Sequence, residues 1–265
     1  MRRPAWDRLL FRGLVAALVA FLLLPIAIVL LFAVNSAAFI VFPPSGFSLR
    51  WFGKFFGSRD FMEAFSLSLQ LAALTVAIAT VVGTMAALAI VRGRIRGAGF
   101  LSALFLSPLM LPAILTGLAL FQFYVILDVG RTFMGLLMGH VVICIPYVVR
   151  TVTAMLHNFD VSLEEAARNL GAGEWATFRH VTLPLIRPGV IAGGIFAFIV
   201  SFDQFPVSLF LVTPGANTLP ITLFNYLRYD FDPTVAAAST VSIALSVTVV
   251  LLLERTIGLQ EYVKL

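Results

Sequence analysis

The chain is short of charge. Only 12% of its 265 residues are Asp, Glu, Lys or Arg, against roughly 25% in an ordinary soluble domain. A water-facing surface with so little charge would expose large apolar patches and aggregate, so a soluble globular protein is excluded. Lysine is nearly missing, with Lys54 and Lys264 the only two. Neither ends a G-x-x-x-x-G-K-[ST] phosphate loop, so the chain does not hydrolyse ATP by that chemistry. A single cysteine, Cys144, excludes an intrachain disulfide and a cysteine-based zinc cluster. It falls inside an apolar run and reads as a small buried residue. No His-Glu-x-x-His and no Ser/His pairing occurs within the apolar segments, which leaves an intramembrane enzyme without its paired groups. An ion-coupled secondary transporter would need a self-contained midplane site, often on inverted repeats; no repeat is visible. No nucleic-acid motif accounts for the net charge of +5.

What is present is hydrocarbon. Apolar residues make up 60% and the mean hydropathy is +1.02. Windows free of charge cover 13–49, 64–91, 97–127, 132–149, 188–202 and 233–253. A helix needs about 20 apolar residues to cross a core of roughly 30 Å. Six transmembrane helices are predicted, at Leu14–Val34, Ser66–Val91, Phe100–Phe123, Phe133–Leu156, Gly189–Val212 and Pro233–Leu253. The fold class is therefore all-α and polytopic, with one transmembrane domain over 1–265. The first span is too long for a signal-peptide core of about 7–15 residues, and is expected to be retained. With the N-terminus inside, the inner segments hold 13 Lys and Arg (Arg2, Arg3, Arg8, Arg12, Arg92, Arg94, Arg96, Arg150, Arg168, Arg179, Arg187, Arg255, Lys264). The outer loops hold five: Arg50, Lys54, Arg59, Arg131 and Arg228. That asymmetry puts both termini in the cytoplasm.

In the first outer loop Trp51, Phe52, Phe55 and Phe56 alternate with Arg50 and Lys54, the pattern of a short helix lying in the membrane interface. Ser107-Pro108 and Leu111-Pro112 are expected to bend the third span. Gln122, Tyr124, His140 and Tyr147 are weak lining candidates, better read as packed side chains.

The fourth and fifth spans are joined by a cytoplasmic loop, 157–187, longer than a tight connection needs. Ser162 and Glu165 have the spacing of a capping box. Gly171 can adopt positive φ and stop the helix. Leu163, Ala166, Ala167 and Leu170 share one apolar face, and Glu164, Glu165, Arg168 and Asn169 the other. So short a helix is marginal alone and needs a cover, either its own helix ends or another protein. A second helix is expected from Glu174 to Val181, before Leu183-Pro184 turns the chain back to the membrane.

Glu165-Ala166-Ala167, three residues, Gly171, nine residues, then Val181-x-Leu183-Pro184 resembles the "EAA" loop of permeases of type I ATP-binding-cassette importers. All intervals agree, and Val181 replaces the usual Ile. The resemblance implies a six-span permease whose loop is a coupling helix inserted into an ATPase subunit. Its coupling residues would be Glu164, Glu165, Ala166, Ala167, Gly171, Leu183 and Pro184, with Ser162 capping. It also implies two ATP-binding subunits carrying ATP and magnesium, a second homologous permease and an extracytoplasmic substrate-binding protein. This chain would bind no cofactor and no metal, and would sit in the bacterial inner membrane. The segment Glu164–Ala172, Ser201-x-Asp203 and Leu219-Pro220 are most similar to the second permease of spermidine/putrescine-type systems. Those often have a second acid after the Asp, where this chain has Gln204. Permeases for opines, aminobutyrate-like compounds and aminoethylphosphonate share much of the pattern.

Asp203 is the singular acid of the fifth span, about 22 Å up a core of roughly 30 Å. A carboxylate at that depth costs a few kcal/mol unless it faces water or a partner. Ser201, Asp203 and Gln204 are therefore candidates for the translocation pathway. The alternatives for Asp203 are a structural hydrogen bond, or a span that ends early at Pro206. The outer loop Thr213–Asp232 reads equally as a contact surface for the binding protein or as a plain solvated loop.

Overall fold

The computed structural model describes residues 5–93, 95–129, 131–230 and 232–257, and side chains within 10–252 of them. Of the basic residues used for orientation, Arg2, Arg3, Arg94 and Lys264 lie outside the described residues, as do the side chains of Arg8 and Arg255. All regular elements among the described residues are helical: α1 (Ala5–Ala33), α2 (Arg50–Gly57), α3 (Arg59–Arg92), α4 (Ala98–Met110), α5 (Ala113–Ile126), α6 (Phe133–Asn158), α7 (Ser162–Asn169), α8 (Glu174–Thr177), a π-helical turn (Phe178–Thr182), α9 (Leu183–Phe202), α10 (Phe205–Leu211), α11 (Leu219–Tyr229) and α12 (Thr234–Ile257). In hydrocarbon every backbone N–H and C=O must be satisfied within the segment, which a helix does.

Five segments are long and apolar enough to cross a membrane: Leu10–Ala33, Arg59–Arg92, Phe133–Asn158, Glu174–Phe202 and Thr234–Leu252. Among the described residues a sixth is reached when the pair α4 and α5, bent by 108°, is counted as one broken span. Pro112 forces the break. Leu111, the residue before it, is extended (φ −94°, ψ 140°), the conformation a following proline imposes. Neither half alone, 13 and 14 residues, reaches the roughly 20 needed.

The Cα packing forms two units. The larger is Glu63–Thr222 with Ser246–Leu265. Its core is built on α6 against α9, with Cys144, Val148, Val152, Ile186 and Ala197 buried. Two glycines one helical turn apart allow this approach. A Cβ on Gly189 would lie 2.8 Å from the Thr151 carbonyl oxygen, and one on Gly193 2.7 Å from the Val148 Cα. Lipid tails supply no hydrophobic drive between helices, so such close backbone packing is what holds them. The Cys144 thiol donates to the Ala197 carbonyl at 3.4 Å, as expected of a packed residue.

The other unit is Met1–Met62 with Leu223–Leu245. Here α2 is more than an interfacial anchor. Trp51 packs on Ala33, Ala236 and Ala237 and its indole N–H donates to the Asn35 carbonyl at 2.8 Å. Phe55 is fully buried, and only Phe56 of the aromatic set is clearly exposed.

Three expectations are corrected. The fifth span does not run Gly189–Val212, because α9 ends at Phe202 and α10 starts afresh at Phe205. Leu183-Pro184 makes no turn, and the chain is helical without interruption from Glu174 to Phe202. The π-helical turn accommodates Pro184. Leu183 N–H donates five residues back, to Phe178, and the widened turn admits a proline that an α-helix would reject. The segment Thr213–Asp232 is not a plain loop, since it contains α11.

Candidate functional site

The hairpin over 157–187 is built from short-range signals. Asp160 Oδ1 accepts the Ser162 backbone N–H at 2.9 Å, and no side-chain cap comes from the residue preceding α7. The predicted Ser162/Glu165 box is therefore replaced by Asp160, two residues earlier. Backbone and hydroxyl donors on Ser162 together hold the Asp160 carboxyl below its ordinary range. At the other end Gly171 has φ +88°. Gly171 N–H donates to the Arg168 carbonyl at 2.9 Å and Ala172 N–H to Ala167 at 3.0 Å. That pair of bonds is a Schellman motif, which closes the carbonyls of the last turn.

The apolar stripe faces outward. Leu163 is 47% exposed and Leu170 89%, Ala166 is exposed and Ala167 half-buried. Trp175 beside them is 71% exposed and rests on Phe178, ring centroids 5.5 Å apart. Glu165, Leu183 and Pro184 are also exposed. Glu164 does the reverse of what its helix face predicted. It is only 4% exposed. Its Oε2 accepts Arg92 Nε–H at 3.2 Å and its Oε1 accepts the Thr182 hydroxyl at 2.7 Å.

The second cluster is the break after α9. Asp203 caps the helix through its backbone N–H, which donates to Ile199. Its side chain is exposed, and among the described residues no side chain pairs with it. Ser201 and Gln204 point the other way, 2% and 9% exposed. The Ser201 hydroxyl is 2.9 Å from His140 Nδ1, and His140 Nε2 is 3.0 Å from the Ser208 hydroxyl. A neutral imidazole donates from one nitrogen and accepts at the other, so one fully buried histidine links α9 to α10 across the break. The three pathway candidates are thus separated: one outward carboxylate and two inward groups.

Of the weaker lining candidates, Gln122 is exposed. The Tyr124 hydroxyl donates to Gly135 at 3.1 Å, and Tyr147 stacks on Phe196. The expectation that no Ser/His pairing lies within the apolar segments is corrected, since His140 pairs with both Ser201 and Ser208. The pairing was missed because the two serines lie seven residues apart with a helix end between them, and 61 and 68 residues from the histidine. No group of three or more metal-ligating side chains occurs among the described residues.

Residues 79–258 match the family described as the inner membrane component of binding-protein-dependent transport systems. The match contains both clusters. The chain belongs to that family. It is 33% identical over 244 residues to the spermidine/putrescine transport system permease protein PotC of Escherichia coli K12, covering 92% of each chain. It is 34% identical over 227 residues to the putrescine transport system permease protein PotI of the same strain, covering 83% of this chain and 80% of that one. A bacterial ABC transporter that imports the acidic polysaccharide alginate shares the fold, with TM-score 0.70, 17% identity and 99% coverage of both chains. The chain is a multi-pass inner-membrane permease subunit of the ATP-binding-cassette importer type, as its loop motif implied.

Proposed function

We propose that this permease forms half of the translocation pathway for a polyamine or a related amine, and is driven by ATPase subunits docked on α7 and α8. The observation that carries the docking reading is the outward stripe of Leu163, Ala166, Leu170 and Trp175. A contiguous exposed apolar patch marks a protein interface, and this one sits on a helix too short to stand uncovered in water. ATP and magnesium are held by those partners, two per complex, and this chain contributes no nucleotide site. A second, homologous permease supplies the other half of the pathway. A substrate-binding protein meets the opposite face, and both termini are cytoplasmic by the Lys and Arg count.

The transport cycle follows from alternating access. Closure of the ATPase dimer moves α7, and the permease pair switches the side to which its cavity opens. Asp203 supports a cationic cargo. It is an exposed carboxylate at a helix break, without a protein counter-charge among the described residues, and suits an ammonium group. The relatives whose names specify spermidine and putrescine support the same class. The neutral Gln204 beside it favours, as a second reading, an amino-acid-like amine such as an opine, an aminobutyrate or aminoethylphosphonate. Uptake by proteoliposomes containing the whole complex, supplied with the binding protein and each amine, tests the proposal. ATP-dependent uptake is expected; uptake driven by an ion gradient without ATP would overturn it.

A further inference from the structure

The stripe on α7 explains where an ATPase would push, but not how the push leaves α7. We infer that Arg92 is the positioning residue that transmits it, through Glu164, from the coupling helix to the membrane-spanning helices. This rests on the docking reading above.

The geometry is a closed node. Both carboxylate oxygens of Glu164 are engaged, by donors on two different elements: Arg92 at the end of α3 and Thr182 in the π-helical turn that runs into α9. Arg92 does not stop at Glu164. Its Nη2 donates to the Leu156 carbonyl in the last turn of α6 at 3.1 Å, and its guanidinium lies 4.8 Å over the Phe159 ring. One buried ion pair thus joins α7 to α3, α6 and α9. A planar guanidinium with several fixed donors suits such a junction better than an ammonium. Glu164 and Arg92 are 5% and 24% exposed, so neither can exchange its partner for water without a desolvation cost. Glu164 also points away from the exposed stripe, into the protein. A partner can grip Leu163 and Leu170 without touching it. Docking and transmission are therefore carried by different side chains of one two-turn helix.

The test is the ratio of substrate transported to ATP hydrolysed by the reconstituted complex, a quantity that a purely structural contact would leave unchanged. Arg92→Ala is expected to retain the ATPase subunits and lower the ratio about tenfold, with Arg92→Lys intermediate. Thr182→Val, which removes one hydroxyl and conserves shape, is expected to lower it about threefold. An unchanged ratio in Thr182→Val, or in an assembled Arg92→Ala, overturns the inference. Should Arg92→Ala fail to accumulate, Thr182→Val decides alone. Leu170→Asp separates the two levels. Normal ATPase association in that variant would overturn the docking reading itself. Its dissociation, together with full coupling in Thr182→Val, would overturn only the role of the Arg92 node.

Discussion

At α7 the charged Glu164 is turned inward and paired, while Leu163 and Leu170 face outward. At the break after α9 the carboxylate of Asp203 faces outward, while Ser201, Ser208 and His140 are turned in and bonded to one another. Each region has one face that the chain itself completes and one that it leaves open. The chemistry of the open face differs. Open apolar surface on a two-turn helix calls for another protein, and an open carboxylate at a helix break calls for water or a cation. The closed faces are alike, each a buried polar link that fixes one helix end relative to its neighbours. Buried groups of this kind are costly when half-satisfied, so the closed faces hold the helix ends in place, while the open faces are left for a partner or for solvent.

Three substitutions probe that division and a fourth lies outside it, in decreasing order of expected effect. Leu170→Asp places a charge on the open apolar face. It should abolish co-purification of the ATPase subunits with no change in the permease's own melting temperature; a lowered melting temperature would show that the stripe is part of the fold. His140→Ala should act in the opposite way. It removes the link between α9 and α10 and leaves two buried hydroxyls without a partner, at about 2–5 kcal/mol for cavity and lost bonds together. Thermal inactivation in detergent measures it.

Asp203→Asn comes next. Assembly and melting temperature should be unaffected, with uptake of a cationic substrate reduced about tenfold. Unchanged uptake would make the carboxylate merely tolerated at a solvated helix end.

The smallest effect belongs to a site in neither region. Lys54 donates to Asp232 and to Tyr226. Burial alone would raise the Asp232 carboxyl, but donors on Lys54, Thr234 and Tyr226 outweigh it and hold it below its ordinary 3.8. Lys54 is held above its ordinary 10.5, chiefly by its bond to Asp232. The depressed carboxyl stabilises the fold above about pH 4, and that contribution fades as pH falls through the lower folded value. The raised amine contributes below about pH 10.5 and fades as pH rises through a higher one. With Lys54 half exposed, the pair contributes about 0–1 kcal/mol. Lys54→Met should therefore flatten the acid limb of a stability profile only slightly. A larger change would place this pair among the stabilising links.

The apolar helices, the bend at Leu111-Pro112, the stop at Gly171 and the packing of Cys144 were legible in the sequence. Each follows from a local rule: length, proline sterics, positive φ, or small size in an apolar run. The orientation of Glu164 was not. Periodicity groups Glu164 with Glu165, Arg168 and Asn169, which are all exposed, and does not single it out as the residue that turns in toward the rest of the protein. The cap was misplaced because Asp160 and Ser162 are both good capping residues, and only the backbone path selects between them. The end of the fifth span was left open between Val212 and an early stop near Pro206, because Phe205–Val212 is apolar enough to continue it; the structure takes the early stop. The two sides of the break are held together by His140 of α6, a link that no local pattern reveals.

The central claim is that the outward face of α7 is the ATPase contact. Cys144 is fully buried, so a cysteine introduced at Leu170 would be the one accessible thiol among the described residues. Cross-linking from Leu170→Cys in membranes containing the whole complex should capture an ATPase subunit, with a yield that changes when ATP is added. Capture of lipid or of the permease partner instead, with no ATPase product in either state, would contradict it.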